Sequence, residues 1–438
     1  MTTESVTTPV SGGMEPALEP RQPRLGRILA AIGVVAVLIL IGGYSATSLA
    51  RGGEAGGVAS IYTVTVGLFV VSRFVFAAFY RVPPDVGLEP TVAIVIPAYN
   101  EGASILRTID ACISQDYPPG RIEIVCVDDG STDDTWHHIA QAVDRYGERV
   151  VGVALGSNQG KRAAMAEGVR RTDSEILVFI DSDSEPVPGA LRRIVQPFVR
   201  ADVGAVAGLT HARNAEVNAL TRMQATRYFV SFQLLKAAES VLGAVSCCSG
   251  CFSAYRRSTV EPLLDAWEHQ RFLGAECTYG DDRALTNMVI RDGHRSEYHA
   301  GAVALTDVPV EYPGFFRQQL RWKKSWLRES PILLSHVWRS RPAAFPVVLL
   351  STAAGLMSPF VLLASLVLVP IVFGVLPIVY LVGLLLVALA YGLFHRALMS
   401  DGRWIWAVVG TIFYISFSGQ MLWALARIRD GRWGTRAT

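Results

Sequence analysis

The stretch "EILVFIDSDSEP", residues 175–186, decides how the chain is to be understood. Its first half is an unbroken apolar run, the pattern of a strand buried on both faces. Its second half sets Asp181, Asp183 and Glu185 almost side by side. Carboxylates this close repel one another at neutral pH, and a bound divalent cation is the natural partner to offset that repulsion. A buried strand ending in such groups belongs to an α/β sheet, where ligands sit beyond the carboxyl ends of the strands.

The flanking sequence carries the same rhythm. "TVAIVIPAY" (91–99), "IEIVCVDDGS" (122–131) and "VVGVAL" (150–155) are further buried-strand runs. Between them, "EGASILRTIDACISQ" (101–115), "DDTWHHIAQAVDRYG" (133–147) and "KRAAMAEGVRR" (161–171) have helical spacing. The βαβαβ order predicts a mostly parallel sheet with right-handed crossovers.

Composition places this domain beside a membrane. The 438 residues are 51% hydrophobic and only 18% charged, against about 25% charged in a typical soluble domain. Charges concentrate in residues 81–342. Residues 1–27 have the composition of a disordered tail. Residues 28–50 hold no charge, and a second apolar segment follows at 59–80, so the pair predicts two transmembrane helices over 28–80. A signal peptide is the rival reading, since Ser48-Leu49-Ala50 resembles a cleavage site, but the apolar run is longer than a usual signal core and a second apolar segment follows. Arg73 interrupts the second span and is expected to face protein or the interface rather than lipid. Residues 343–394 fit two more spans and 404–426 a third, giving C-terminal transmembrane helices over 343–426 and a tail at 427–438.

Arg81, Arg339 and Arg341 flank the spans on the middle-domain side, which predicts a cytosolic domain and a multi-pass protein of the cell membrane. Five spans would then leave the arginine-rich tail "RIRDGRWGTRAT" on the opposite side. Either one C-terminal segment turns back without crossing, or the charge rule is broken. The net charge of +2 is too small to suggest a nucleic-acid partner. Cys112, Cys126, Cys247, Cys248, Cys251 and Cys277 show no zinc-site spacing and suit a reduced compartment.

Three strands end in polar clusters: Pro97 to Glu101, Asp128 to Ser131, and Asp181 to Asp183. Any one of these resembles a cap or a turn, but three on one sheet edge are harder to dismiss. Asp181 and Asp183 suit Mn²⁺ or Mg²⁺ with positions left open for phosphate oxygens. Tyr99 can stack on a base, Asp128 or Asp129 can accept from a base N–H, Glu101 lies in the same cluster, and Lys161 can reach phosphate. A P-loop and a Gly-x-Gly-x-x-Gly are both absent, so the nucleotide is better read as a leaving group than as a redox carrier or phosphoryl donor.

"IPAYNE", "VDDGSTDDT", "NQGKRAA" and "DSD", in this order, resemble the family-two inverting glycosyltransferases with a GT-A fold. "YGDDRALTN" (279–287) and "QQLRW" (318–322) resemble the acidic motif and the Gln-x-x-Arg-Trp signature of the processive members. The resemblance covers roughly residues 90–330 and the flanking spans. It implies a GT-A domain over 81–310, interfacial helices over 311–342, and a second amphipathic stretch at 217–239.

By the same resemblance Asp282 aligns with the general base, with Asp281 beside it and Arg283 placed to orient it. Asp183 would hold the metal, with Asp181 at the ribose or the metal's outer sphere. Arg321 would approach the diphosphate and Trp322 would carry the acceptor sugar. Gln318, Ser249, Gly250 and Cys277 would line the acceptor side. The partners implied are UDP-sugar donors, a growing polysaccharide and the bilayer. "QQLRWKKSWLRES" resembles the hyaluronan-synthase version most, implying UDP-N-acetylglucosamine and UDP-glucuronate. Chitin-type synthesis is the alternative, and a non-processive polyprenyl-phosphate glycosyltransferase is a second one.

Overall fold

The computed structural model describes residues 54–374, 376–399 and 401–431. The expected tail at 1–27 and first span at 28–50 lie outside these residues. The central domain is built on an eight-stranded sheet in the order β3-β2-β1-β4-β7-β6-β10-β5. Its strands are β1 (Val92–Ala98), β2 (Ile122–Asp128), β3 (Val150–Ala154), β4 (Ile176–Phe179), β5 (Glu185–Pro186), β6 (Val203–Ala212), β7 (Ser253–Arg256) and β10 (Arg295–Thr306). A separate two-stranded ribbon is formed by β8 (Arg271–Phe272) and β9 (Ala275–Glu276).

β1 to β4 are mutually parallel, β6 and β10 are parallel to each other, and β7 runs against its neighbours. All seven residues of β1 are buried, because helices cover both faces of the sheet. One face packs Ile94 and Ile96 against Ile105, Ile109 and Ile139. The other packs Val95, Val127 and Phe179 against Ala164 and Met165. Gly168 is required there, since a Cβ would collide with Val95. Strand order reverses between β1 and β4, so the cleft at their carboxyl ends is where a doubly wound sheet receives ligand.

The same core continues into the membrane-type helices, joining Val70, Phe74, Tyr391 and Phe394 to the sheet. The helix Glu54–Phe79 ends on β10, where the Tyr80 hydroxyl donates to the Tyr298 carbonyl at 2.9 Å and accepts from Ala300 N at 3.0 Å. Arg73 faces protein, as its charge demands: it is 2% exposed and lies 3.2 Å from the Glu239 carboxylate.

Four segments are long and apolar enough to cross a membrane among the described residues: 61–79, 342–372, 380–398 and 404–426. The last differs from the others. Arg403 at its start pairs with Glu216 of the domain at 2.8 Å. At its middle, Lys323 donates to the Phe417 carbonyl at 2.6 Å. Beyond its end, Lys324 donates to the Asp430 carbonyl at 3.0 Å and Tyr279 OH to the Ile428 carbonyl at 3.3 Å. Both ends of the segment therefore contact the domain. A short 3-10 turn at Phe417–Gly419 bends it to follow the surface.

The stretch 217–239 also departs from an amphipathic helix laid on lipid. It folds as the helix Ala219–Val230 running into a π-helical turn, Ser231–Lys236, and is covered by protein on both sides. Arg222 sits over Trp406 and Arg227 over Tyr414, so its cations face the aromatic rings of the 404–426 segment. The expected interfacial region is one helix, Tyr312–Ser340, which continues through Pro331.

Candidate active site

The cleft is built first by loops that tie to one another. Asn100 adopts a left-handed φ of 52° at the end of β1; its Oδ1 accepts from Thr132 N at 2.8 Å and its N donates to Ser131 Oγ at 2.9 Å. Glu101 Oε1 accepts from Ser182 Oγ at 2.7 Å, which joins the β1 loop to the Asp181–Asp183 turn. Asp128 Oδ1 accepts from Ser131 N at 3.3 Å. Asp129 accepts from Gln159 N at 2.7 Å and from Gly160 N at 2.9 Å, which fixes the loop leading into Lys161. Burial holds the Asp129 carboxyl above its ordinary range despite these bonds, and the Asp128 charge adds to the shift. Glu101, Asp128 and Asp129 are thus engaged in shaping the edge, while Tyr99 stands half-buried at its mouth.

A charge cluster occupies the centre. Lys161 Nζ lies 2.5 Å from Asp181 Oδ1 and 3.4 Å from Asp281 Oδ2. Burial works against the ammonium, but Asp181 and Asp281 outweigh it and raise the Lys161 pKa. Burial likewise opposes the Asp281 charge, and Lys161 and Arg162 outweigh it and lower that pKa. The Asp181 amide donates to the Gly250 carbonyl at 3.0 Å. A Cβ on Gly250 would stand 3.0 Å from Lys161 Nζ, so this loop approaches the ion pair as closely as backbone can. Asp183 is exposed beside the cluster and accepts from Ser184 Oγ at 3.4 Å.

No group of three or more ligating side chains occurs among the described residues. The Asp181 and Asp183 pair nonetheless fits a divalent cation of the kind shared with a diphosphate, in which substrate and water complete the coordination. That donor set is all oxygen, which suits Mg²⁺ or Mn²⁺.

A second wall adjoins this edge. Asp281 and Asp282 open the helix Asp281–Arg291. Asp282 is half-buried; Oδ1 accepts from Arg283 N at 2.7 Å and Oδ2 lies 3.3 Å from Cys247 Sγ. Burial pushes the Cys247 thiol up, and the Asp282 charge pushes it further, so this thiol stays protonated. Lys236 Nζ donates to the Cys247 carbonyl at 2.7 Å and reaches Ser249 Oγ at 3.5 Å. The loop is clamped on its other side by Cys248 N donating to Thr286 Oγ1 at 3.0 Å.

Trp322 is 41% exposed, with its ring 6.3 Å from that of Tyr228. Burial pushes the Tyr228 phenol up, with the Cys251, Tyr414, Asp183 and Asp181 groups adding to the shift. Gln318 and Arg321 are half-buried one turn before and one residue before Trp322. Cys277 stands apart from this group: it is buried near Arg328 and Arg162 rather than on an open face.

Several residues escaped the sequence reading. Lys236 and Tyr228 lie in a stretch whose charges and rings suggested lipid. Trp267 donates from Nε1 to the Asp281 carbonyl at 2.9 Å, yet nothing in "LLDAWEHQ" signals it. Arg162, Arg328 and Glu329 are fully buried charges in helices. The signal available was their adjacency to motif residues, in "GKR" and "WLRES".

The family model for glycosyl transferase family 2 matches residues 93–264. An N-acetylglucosaminyltransferase of Azorhizobium caulinodans is 39% identical over 250 residues, covering 56% of this chain and 62% of the relative. A hyaluronan synthase of Streptococcus pyogenes is 36% identical over 289 residues, covering 63% of this chain and 67% of the relative. The chain thus spans about two thirds of the length of these relatives. Among solved structures, a mannosyltransferase from Pyrobaculum calidifontis, in complex with GDP-Man and Mn²⁺, superposes with a TM-score of 0.62. The match covers 86% of this chain and 99% of that one at 20% identity, a likeness of fold.

Proposed function

Because the chain belongs to glycosyl transferase family 2, we propose that it is a membrane-embedded, processive, inverting glycosyltransferase that polymerises sugars from UDP-sugar donors. The observation that carries this reading is the convergence of Lys161, Asp181 and Asp281 at the β1/β4 switch point, with Asp282 next to Asp281 at the start of its helix. The donor diphosphate lies at the Lys161 edge, and the acceptor sugar stacks on Trp322. Asp282 takes the proton from the acceptor hydroxyl while that oxygen bonds to the anomeric carbon. The bond from that carbon to the diphosphate oxygen breaks, its electrons stay on UDP, and attack from the opposite face inverts the centre. Lys161 stabilises the departing charge. A divalent cation held at Asp183 and Asp181 supplies further neutralisation of the diphosphate when bound. The domain sits on the cytosolic side of the cell membrane, and the product leaves through the adjacent spans.

The favoured product is hyaluronan, made from UDP-N-acetylglucosamine and UDP-glucuronate, in line with the longer of the two matches. A polymer of N-acetylglucosamine alone is the second reading, supported by the higher identity to the Azorhizobium relative. Membranes bearing the protein, supplied with each UDP-sugar singly and in pairs, decide between them. Polymer only with both donors, degraded by hyaluronidase, supports the first. Polymer from UDP-N-acetylglucosamine alone, degraded by chitinase, supports the second. Absence of any transferred sugar overturns the proposal.

A further inference from the structure

Beneath the catalytic helix lies a buried polar network that the mechanism above does not use. Three consecutive carbonyls lead into Asp282, and each is gripped by a different element. Arg328 Nη2 donates to the Tyr279 carbonyl at 2.7 Å, Arg162 Nη2 approaches the Gly280 carbonyl at 3.5 Å, and Trp267 Nε1 donates to the Asp281 carbonyl. Gly280 turns with φ 72°, and a Cβ there would strike Ser325, so the turn is packed directly on the helix Tyr312–Ser340.

Glu329, 1% exposed, joins these grips. Its Oε1 accepts from Arg328 Nε at 2.7 Å and from Gln270 Nε2 at 3.1 Å. Its Oε2 accepts from Asn287 Nδ2 at 3.0 Å, and Asn287 also donates to the Glu329 carbonyl at 2.9 Å. Gln270 Oε1 in turn accepts from Arg162 Nη1 at 2.9 Å. Arg162 follows Lys161 directly, and Asn287 lies on the helix that Asp282 opens. Arg328 lies on the helix that carries Gln318, Arg321 and Trp322. The charges balance along this chain: Lys161, Arg162 and Arg328 against Asp181, Asp281 and Glu329. Removing one buried partner from such a set leaves an uncompensated charge, and the neighbouring backbone must shift to hydrate it.

We infer that Glu329 is a positioning residue, locking the base helix to the acceptor-platform helix so that Asp282 meets an acceptor seated on Trp322. The inference rests on the reading of Asp282 as base. It requires that weakening the hub misplace the base while leaving the donor edge in place. A displacement of about 1 Å at a reacting group can lower rate about 100-fold.

The test uses the full-length protein in membranes. Glu329→Gln keeps the size and the Oε1 acceptor but turns a donor toward Asn287. We expect kcat for sugar transfer to fall between about 10- and about 100-fold, with the KM for UDP-sugar changed less than twofold and more UDP released per sugar incorporated. Gln270→Ala, at a half-buried loop position, is expected to act in the same direction more weakly and decides alone if Glu329→Gln does not assemble. Unchanged kcat in these variants, or a loss matched by an equal loss of UDP affinity, overturns the inference. Asp282→Asn serves as control. If it retains turnover, the assignment of the base fails; if it is inactive while Glu329→Gln and Gln270→Ala behave as wild type, only the positioning role fails.

Discussion

The edge around Lys161, proposed for the donor, and the wall around Asp282, proposed for the acceptor, meet in one cleft, but some of their contacts close over different lengths of chain. At the edge, Lys161 meets Asp181 20 residues away, and Asp129 meets Gln159 30 residues away. In the wall, Arg328 meets Tyr279 across 49 residues, Arg162 meets Gly280 across 118, and Tyr279 meets Ile428 across 149. The edge is built from the turns that follow successive parallel strands, tied together by Glu101 and Ser182 across 81 residues. The wall exists only after the β7 loop, the catalytic helix and the Tyr312–Ser340 helix have been brought together. Donor capture and sugar transfer should therefore be separable by mutation.

Asp282→Asn tests that separation hardest. Transfer should fall about 1,000-fold, the loss of a general base, while UDP binding in the presence of Mn²⁺ stays within threefold by calorimetric titration. Loss of both together would merge the two halves. Asp183→Ala should do the reverse, weakening UDP binding at least about tenfold, or about 1.4 kcal/mol, with Mn²⁺ present and leaving metal-free binding unchanged. Identical titrations with and without metal would remove the edge carboxylate from the metal's sphere. Trp322→Ala should cost about 1–2 kcal/mol of acceptor binding and shorten the product while donor binding is spared; an unaltered length profile by gel electrophoresis counts against stacking.

The smallest expected change is none. Lys161 is raised above its ordinary value and Asp281 is lowered below its own. The lysine's favourable pairing is fully present below about pH 10.4 and fades only as pH rises through its raised pKa. The Asp281 contribution is fully present above about pH 3.9 and fades only as pH falls through its lowered pKa. UDP-N-acetylglucosamine binding to Asp282→Asn should therefore be flat from about pH 5 to about pH 8. A step inside that window would mean the central charges are not paired as the geometry has them.

The same contrast explains what could be seen in the sequence. Asp181 and Asp183 stood out because a buried strand ending in acids is a local pattern, and the sheet order follows from repeated βα units. Asp129 stands at the sheet edge, but its bonds to the Gln159 and Gly160 amides were not legible in the sequence. A carboxylate that accepts two backbone amides is spelled the same way as one awaiting a base. Arg162 and Glu329 were invisible because a charge inside a helix looks solvated until its distant partner is known. Hydropathy gave the length of the 404–426 segment and said nothing of where its ends rest.

That segment carries a consequence for how the protein is inserted. If 404–426 stays with the domain, the passes that follow the domain are 342–372 and 380–398 alone, an even number. The chain then re-emerges on the side it left, and the arginines at 427 and 429 need not be carried across a bilayer. A reporter joined after Gly431 would share its compartment with one inserted at the exposed turn near Gly120.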